Sequence, residues 1–314
     1  MKSLGINYSV VIPVFNSEKT VTEVVGRIEY FFQEQNLTYE IILINDGSTD
    51  NSWMLLKELS KIHPQIMAIN FLKNYGQHSA IYCGIAHSKG DYIIMIDDDL
   101  QNPPEEMIHL IDKVNEGYDA VFAEYRTKRH GPIRLLGTKL IDYWNQKIFK
   151  KDRGLKLTNF RIISREVGER ITNYKTVYPY IPGLILMFAN NTANVVTEHH
   201  ERLEGRSNYT LVKILHLVAR LLFNYSSYPL KVLTIIGFII SFSSFGLGLF
   251  YTVKGLIVKS QVLGFTTIIA AISFLCGFII IMLGIIGEYI SRLMNQMSAS
   301  SMYHIKEIVK SGAS

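Results

Sequence analysis

The sequence predicts an α/β fold: an open, mostly parallel sheet with helices on both faces, carrying a membrane-associated helical appendage. Three observations lead there. Short Ile- and Val-rich runs alternate with helical periodicity in the first part of the chain, acids gather where those runs stop, and two long uncharged runs follow Tyr228. At 314 residues the chain is long enough for one large domain plus an appendage.

The strand-like runs are "YSVVIPVF", "EIILIND", "IMAINF", "DYIIMID" and "DAVFAEY", short and apolar as buried parallel strands are. Between the first two, Val21, Val24, Val25, Ile28 and Phe32 recur on one helical face, with Asn16 or Ser17 as the expected N-cap. Beyond Glu124, Arg126, Lys128, Arg129 and Arg134 crowd a loop interrupted by Gly-Pro, and a helix is expected from Leu135 to Phe149. A second loop, "TEHHERLEGRSNYT", leads into "LVKILHLVARLLF". There Leu211, Ile214, Leu215, Val218, Leu221 and Leu222 share a face, which fits a helix on a membrane surface or one facing a protein core. Its place before the uncharged runs favours the membrane surface.

Those runs are Val232 to Val253 and Phe265 to Gly287, each without a charge. As a helix the first reaches roughly 33 Å, enough to cross a bilayer. The expected organisation is a catalytic domain over 1–209, an interfacial helix over 210–228, a transmembrane hairpin over 229–291 and a tail over 292–314. "MKSLGINYSVVIPVF" does not read as a secretory signal, and Lys213, Arg220, Lys231, Arg292, Lys306 and Lys310 flank the hairpin, which places both ends in the cytoplasm. The net charge of +5 fits a basic collar near the membrane and gives no nucleic-acid surface. Cys83 and Cys276, the two cysteines, are not expected to pair.

Ligands of open α/β sheets bind at the carboxyl ends of the strands. "YIIMIDDDLQNPPEE" ends a strand with three acids, which repel one another unless a cation, arginines or solvent intervenes. In an extended turn Asp97 and Asp99 face one side and Asp98 the other. With Gln101 they form a set of hard oxygens suited to Mg²⁺ or Mn²⁺ on a substrate phosphate, the other reading being a solvated acidic turn. "INDGSTDNS" ends the second strand with Asp46, which suits a nucleotide contact or an ordinary capped turn.

Together "VVIPVFNSEKTV", "ILINDGSTDNS", "IDDDLQNPPE" and "ERLEGRSNYT", followed by two spans and "GEYISRL", resemble a family 2, GT-A type glycosyltransferase of the polyprenyl-phosphate branch, the branch of bactoprenol glucosyltransferases, undecaprenyl-phosphate aminoarabinose-type transferases and dolichol-phosphate mannose synthase. The resemblance covers nearly the whole chain in the same order. It implies inverting transfer of a sugar, UDP-linked in many relatives, to undecaprenyl phosphate at the cytoplasmic face of a bacterial inner membrane, for modification of lipopolysaccharide or another surface glycan.

By that resemblance Pro13, Phe15, Asn16, Asp46 and Asp98 line the nucleotide-sugar pocket. Asp97, Asp99 and Gln101 hold Mg²⁺ or Mn²⁺; Arg126, Arg134 and Arg202 bind the acceptor phosphate; and Asp97, Asp99 and Arg202 carry catalysis. It also implies a homo-oligomer such as a tetramer. Three departures bear on sugar and acceptor: Ser17 where many relatives have glutamate, Asn159 where many have an aspartate before "FR", and Asn208 where many have lysine. Asn159 is therefore not expected to serve as a base.

Other readings fare worse. A processive polysaccharide synthase resembling cellulose or hyaluronan synthases would need a Gln-x-x-Arg-Trp motif and more spans. A dinucleotide dehydrogenase would need G-x-G-x-x-G after the first strand. A non-enzymatic membrane scaffold would not need intact acids and arginines.

Overall fold

The computed structural model describes residues 7–125, 132–176, 178–200, 211–257, 265–297 and 302–311. The five runs picked out above form strands β1 (Tyr8–Val14), β2 (Tyr39–Asn45), β3 (Ile66–Phe71), β4 (Tyr92–Met95) and β5 (Ala120–Tyr125). Helices α1 (Val21–Glu34), α2 (Ser52–Ile62), α3 (Gln77–His87) and α4 (Met107–Asn115) connect them. Then come α5 (Pro132–Phe149), β6 (Arg161–Ser164), α6 (Arg165–Asn173), α7 (Ile181–Phe188), β7 (Thr192–Thr197), α8 (Leu211–Tyr225), α9 (Tyr228–Ile257), α10 (Phe265–Met297) and β8 (Ile305–Lys310).

The strands form one sheet in the order β7-β5-β6-β4-β1-β2-β3-β8. Its centre is parallel as expected, with β1 between β2 and β4 in register Val10 to Ile41 and Val10 to Ile94. The outer parts make the sheet mixed, although β7 at one edge is again parallel to its neighbour β5. β6 runs antiparallel to both β4 and β5, and β8 runs antiparallel to β3. Thus the expected C-terminal tail is in part an edge strand, and residues 300–314 belong to the same compact unit as 1–216.

Alternation along the strands buries both faces of the sheet. Val10, Ile12 and Val14 of β1 join Val21, Val24, Val25, Ile28, Phe31 and Phe32 of α1 in one apolar cluster, so the helical face read from the sequence is the buried one. On the other face α3 lies close to β1 and β2. A β-carbon at Gly84 would stand 2.2 Å from Val11 Cγ1 and 2.9 Å from Ile44 Cδ1, so only glycine admits this approach. Helix α1 starts later than expected, with Thr20 in the N-cap position, because Asn16 and Ser17 spend their side chains on neighbouring loops.

The second compact unit comprises residues 217–299. In α10 the segment Phe274–Ser291 is long and apolar enough to cross a membrane, and α9 carries a shorter apolar stretch, Tyr228–Ile240. Phe238, Phe242, Phe274 and Ile280 are each more than 60% exposed, apolar surface that calls for lipid or a partner. Within this unit the Tyr289 hydroxyl donates to the Ser226 carbonyl at 3.3 Å, and its ring meets Phe223 with centroids 5.8 Å apart. In α8, Val218 and Leu221 are buried as their shared face suggests, while Leu215 is 52% exposed.

Candidate active site

From β1 the chain proceeds to β2 on one side, while β4 lies on the other. The strand order therefore reverses at β1, the place where such sheets open a crevice at their carboxyl ends. The loops that leave β1, β2, β3 and β4 meet there and are tied to one another by side chains.

The turn after β1 carries Phe15, which is 47% exposed, and Asn16 in the left-handed region at φ 54°, whereas Pro13 is buried within the strand. Asn16 Oδ1 accepts from the Thr49 amide at 2.8 Å, and the Asn16 amide donates to Ser48 Oγ at 3.0 Å. Glu18 Oε2 accepts from the Asn51 amide at 2.9 Å. The Asp-Gly-Ser turn after β2 is thereby laced to the β1 turn. Glycine is required at its centre: Gly47 has φ 69°, and a β-carbon there would lie 2.5 Å from the Asn74 amide nitrogen.

Asp46 is buried, and both its carboxylate oxygens accept from backbone amides, Oδ1 from Tyr75 at 2.7 Å and Oδ2 from Gly76 at 2.9 Å. Burial raises its pKa, and those two amides act against the rise. Any contact Asp46 makes with a nucleotide comes from a carboxylate already fixed in place.

At the end of β4 the three acids part company. Asp98 turns to the β1 turn, where its Oδ2 accepts from the Ser17 hydroxyl and from the Phe15 amide. Burial pushes it up to about 7, with Ser17 opposing the rise and Asp97 and Asp99 adding to it. Asp97 accepts from two neutral amides, Gln77 Nε2 at 2.6 Å on Oδ1 and Asn159 Nδ2 at 3.1 Å on Oδ2. Burial pushes Asp97 up to about 6, Asp99 adds to the rise, and Asn159, Arg161 and Gln77 oppose it. Asp99 Oδ1 accepts from the Gln101 amide at 3.2 Å.

Arg161, the first residue of β6, is fully buried. Its Nε lies 3.1 Å from Met95 Sδ and its Nη1 donates to the Thr158 carbonyl at 3.1 Å, while Nη2 has no hydrogen-bond partner among the described residues. Burial brings its guanidinium down to about 10, and the charge of Asp97 acts against that fall. Burial, with the Arg161 charge second, brings His78 down to about 3, so that imidazole stays neutral near neutral pH.

The segment after β7 closes the opposite wall. The His200 amide donates to the Gln101 carbonyl at 2.8 Å, Gln101 Nε2 approaches the His200 carbonyl at 3.5 Å, and the His199 ring stacks on Tyr125 with centroids 4.0 Å apart. Arg126 and Arg202 lie outside the described residues. Of Arg134 only its place in α5 is described.

Among the described residues no three His, Cys, Asp or Glu side chains gather as a cation cage. Asp97 and Asp99 still suit a hard divalent ion by their chemistry: the charge of Asp99 bears on Asp97, and the nearby Gln101 is a residue whose amide carries a neutral oxygen. Mg²⁺ and Mn²⁺ are commonly held by one or two carboxylates, with water and substrate phosphate completing the shell.

The structure brings together Phe15, Asn16, Asp46, Asp97, Asp98, Asp99 and Gln101. It adds Gln77, Asn159, Arg161, His199 and His200, which the sequence reading gave no role here. Their one sequence signal was the Asn-Phe-Arg run, legible only as a missing base.

Comparisons with known proteins identify the family. The family model described as "Glycosyl transferase family 2" matches residues 9–166, and one described as "GtrB C-terminal hairpin" matches 228–293. An undecaprenyl-phosphate 4-deoxy-4-formamido-L-arabinose transferase of Proteus mirabilis is 33% identical over 96% of this chain and 93% of its own length. Its counterpart from Shewanella sediminis is 34% identical over 96% and 92%. Among solved structures, glucosyl-3-phosphoglycerate synthase from Mycobacterium tuberculosis, in complex with Mn²⁺, UDP-glucose and phosphoglyceric acid, has a TM-score of 0.51. It covers 70% of this chain and 78% of its own at 19% identity, a likeness of fold alone. With one family model spanning half the chain and relatives aligned along nearly all of it, the chain belongs to glycosyl transferase family 2.

Proposed function

We propose that this glycosyltransferase moves a sugar from a nucleotide-diphosphate donor, UDP-linked, to undecaprenyl phosphate, with inversion at the anomeric carbon. The observation that carries the reading is the half-buried, doubly held carboxylate of Asp97 near Asp99 at the end of β4. The names of relatives matched over nearly the whole chain supply the acceptor.

Asp97 and Asp99, with Gln101, would hold Mg²⁺ or Mn²⁺, which when bound supplies positive charge for the departing nucleotide diphosphate. A phosphate monoester has a second pKa near about 6, so the lipid phosphate is already largely dianionic at neutral pH and needs no strong base. Asn159 suits that chemistry, because an amide in this position orients Asp97 and accepts no proton. The exposed Phe15 and the turns around Asn16 and Asp46 form the nucleoside side of the pocket, with Pro13 buried beneath and Asp98 fixing the β1 turn. We assign Arg126, Arg134 and Arg202 to the lipid phosphate, where guanidinium forks offset its repulsion from the diphosphate.

We place the protein at the cytoplasmic face of a bacterial inner membrane, with α9 and α10 as a spanning hairpin and α8 at the interface, working as an oligomer such as a tetramer. The sheet supports the hairpin: the chain leaves the catalytic unit after residue 216 and returns to the same sheet as β8. Any route between those points crosses the membrane an even number of times.

The test is transfer of radiolabel to lipid by detergent-purified protein. It is supplied with undecaprenyl phosphate and a panel of UDP-sugars that includes the 4-deoxy-4-formamido-L-arabinose derivative. The expected result is label in the lipid phase only when both Mn²⁺ or Mg²⁺ and the lipid phosphate are present. Transfer unaffected by chelation would remove the cation from the reading, and absence of nucleotide binding would bring the scaffold reading forward.

A further inference from the structure

The loop that holds Asp46 leans on the far end of the chain. Tyr75 and Gly76 donate their amides to Asp46, and the next residue, Gln77, donates to Asp97, so three consecutive residues hold one acid of the nucleoside turn and one of the β4 end. This loop leaves β3, the strand that pairs with β8. The Leu72 amide donates to the His304 carbonyl at 2.9 Å, extending the β3–β8 ladder to the edge of the loop.

The Tyr303 ring stacks on Phe71 with centroids 4.9 Å apart and planes 15° from parallel. Phe71 in turn meets the Tyr75 ring edge-on at 5.7 Å, and His304 lies 6.2 Å from Tyr75. Two more ties hold the segment down: the Tyr303 ring lies against Tyr82 of α3 with centroids 6.5 Å apart, and Glu307 of β8 makes a 2.6 Å ion pair with Lys57 of α2. From Tyr303 through Phe71 and Tyr75 to Asp46 the contact is continuous.

We propose that the C-terminal segment Tyr303–Lys310 is a positioning element of the donor site, setting the 72–77 loop so that Asp46 and Asp97 are presented to a nucleoside diphosphate. This rests on the reading of that crevice as the donor pocket. The segment reaches no substrate itself. It acts through Phe71 and Tyr75, and because it follows α10 in the chain, it makes donor binding depend on residues beyond the apolar helices.

The experiment uses the full chain in detergent with Mn²⁺, UDP as the probe and calorimetric titration, comparing wild type, Tyr303→Ala and Tyr303→Phe. Tyr303→Ala is expected to weaken UDP binding about fivefold, the scale of one lost aromatic pair, and Tyr303→Phe to restore it by keeping the stacked ring. Exchange of the Tyr75 and Gly76 amides should speed up in Tyr303→Ala while that of β1 and α4 stays protected. In the transfer assay the donor KM should rise with kcat unchanged at saturating donor. Should Tyr303→Ala fail to fold, Tyr303→Leu keeps the apolar bulk and removes the ring stack. Wild-type UDP affinity in the folded alanine or leucine variant overturns the proposal, even if the amides exchange faster. If the wild-type protein itself does not bind UDP, the donor-pocket reading falls, and this inference with it.

Discussion

Gln77 donates its side-chain amide to Oδ1 of Asp97 at 2.6 Å, and Asn159 donates to the other oxygen, so the half-buried carboxylate at the head of the acid loop is held on both sides by uncharged donors. Uncharged donors suit a ligand of a divalent cation: they fix its rotamer and leave its charge for the ion. Hydrogen bonds to a charged group contribute roughly 1.5–3 kcal/mol, so Gln77→Ala should lower kcat/KM by about 10- to 100-fold. Gln77→Glu should do worse by setting a second negative charge against Asp97. Steady-state kinetics with Mn²⁺ titrated for each variant checks this, and wild-type Mn²⁺ dependence in Gln77→Glu would contradict it.

Asp99→Asn keeps the shape of the acid loop and removes one of the two charges offered to the cation. Turnover should fall by about a thousandfold or more, the scale seen when a group that stabilises transition-state charge is lost. The protein should still insert into membranes and elute as wild type does. Full activity would refute the cation site.

Burial places Asp97 near 6 and Asp98 near 7 in the cation-free protein, against about 3.9 for an aspartate in an unfolded chain. Both folded-state values are raised, so the folded protein retains protons that the unfolded chain releases. The contribution of these groups to stability therefore falls as pH rises from about 4 through about 7. A cation bound at Asp97 and Asp99 displaces the proton of Asp97, so the rise in Tm produced by Mn²⁺ should be small near about pH 5 and grow towards about pH 8. Thermal unfolding with and without Mn²⁺ across that range is the check, and a Tm increment independent of pH would count against cation binding at these acids.

Arg161 is a buried cation whose Nη2 lacks a hydrogen bond among the described residues, an arrangement that apolar packing would improve on. Its charge favours the ionised form of Asp97. Arg161→Met should leave the unfolding midpoint unchanged or higher while weakening Mn²⁺ binding and lowering kcat/KM. Paired thermal and Mn²⁺-binding measurements separate the two effects, and a loss of stability with unchanged Mn²⁺ affinity would make Arg161 structural.

The central sheet was legible because its strands are Ile- and Val-rich runs ending in turn chemistry, and α1 because Val21, Val24, Val25, Ile28 and Phe32 keep helical period. Helix α3 carried no such stripe, since Ser79 through Ile85 are buried on every side. β6 is four residues long, and β8 alternates but pairs with a strand more than two hundred residues earlier, so its place depended on a partner that no local pattern names. The acids at the strand ends announced the site. Their holders did not, because Gln77 and Asn159 stand 20 and 62 residues from Asp97; Gln77 arrives at the start of α3 after β3, and Asn159 only when β6 pairs with β4.

The return of β8 to the catalytic sheet also constrains the membrane arrangement. A single crossing by α10 alone would strand Ile305–Lys310 on the opposite side from β3, with which it pairs. The proposed hairpin avoids that, and it puts the segment between α9 and α10 across the membrane from both the catalytic unit and the C-terminus. Each cysteine-free background (Cys83→Ser with Cys276→Ser) should carry one new thiol, Gln261→Cys or Ser314→Cys. In intact cells an impermeant maleimide should label Gln261→Cys and leave Ser314→Cys unlabelled until the membrane is opened. Labelling of neither position in intact cells, with both labelled after lysis, would mean that α9 and α10 both stay on the cytoplasmic side and that the apolar surface of Phe238, Phe242 and Phe274 is covered by something other than the bilayer core.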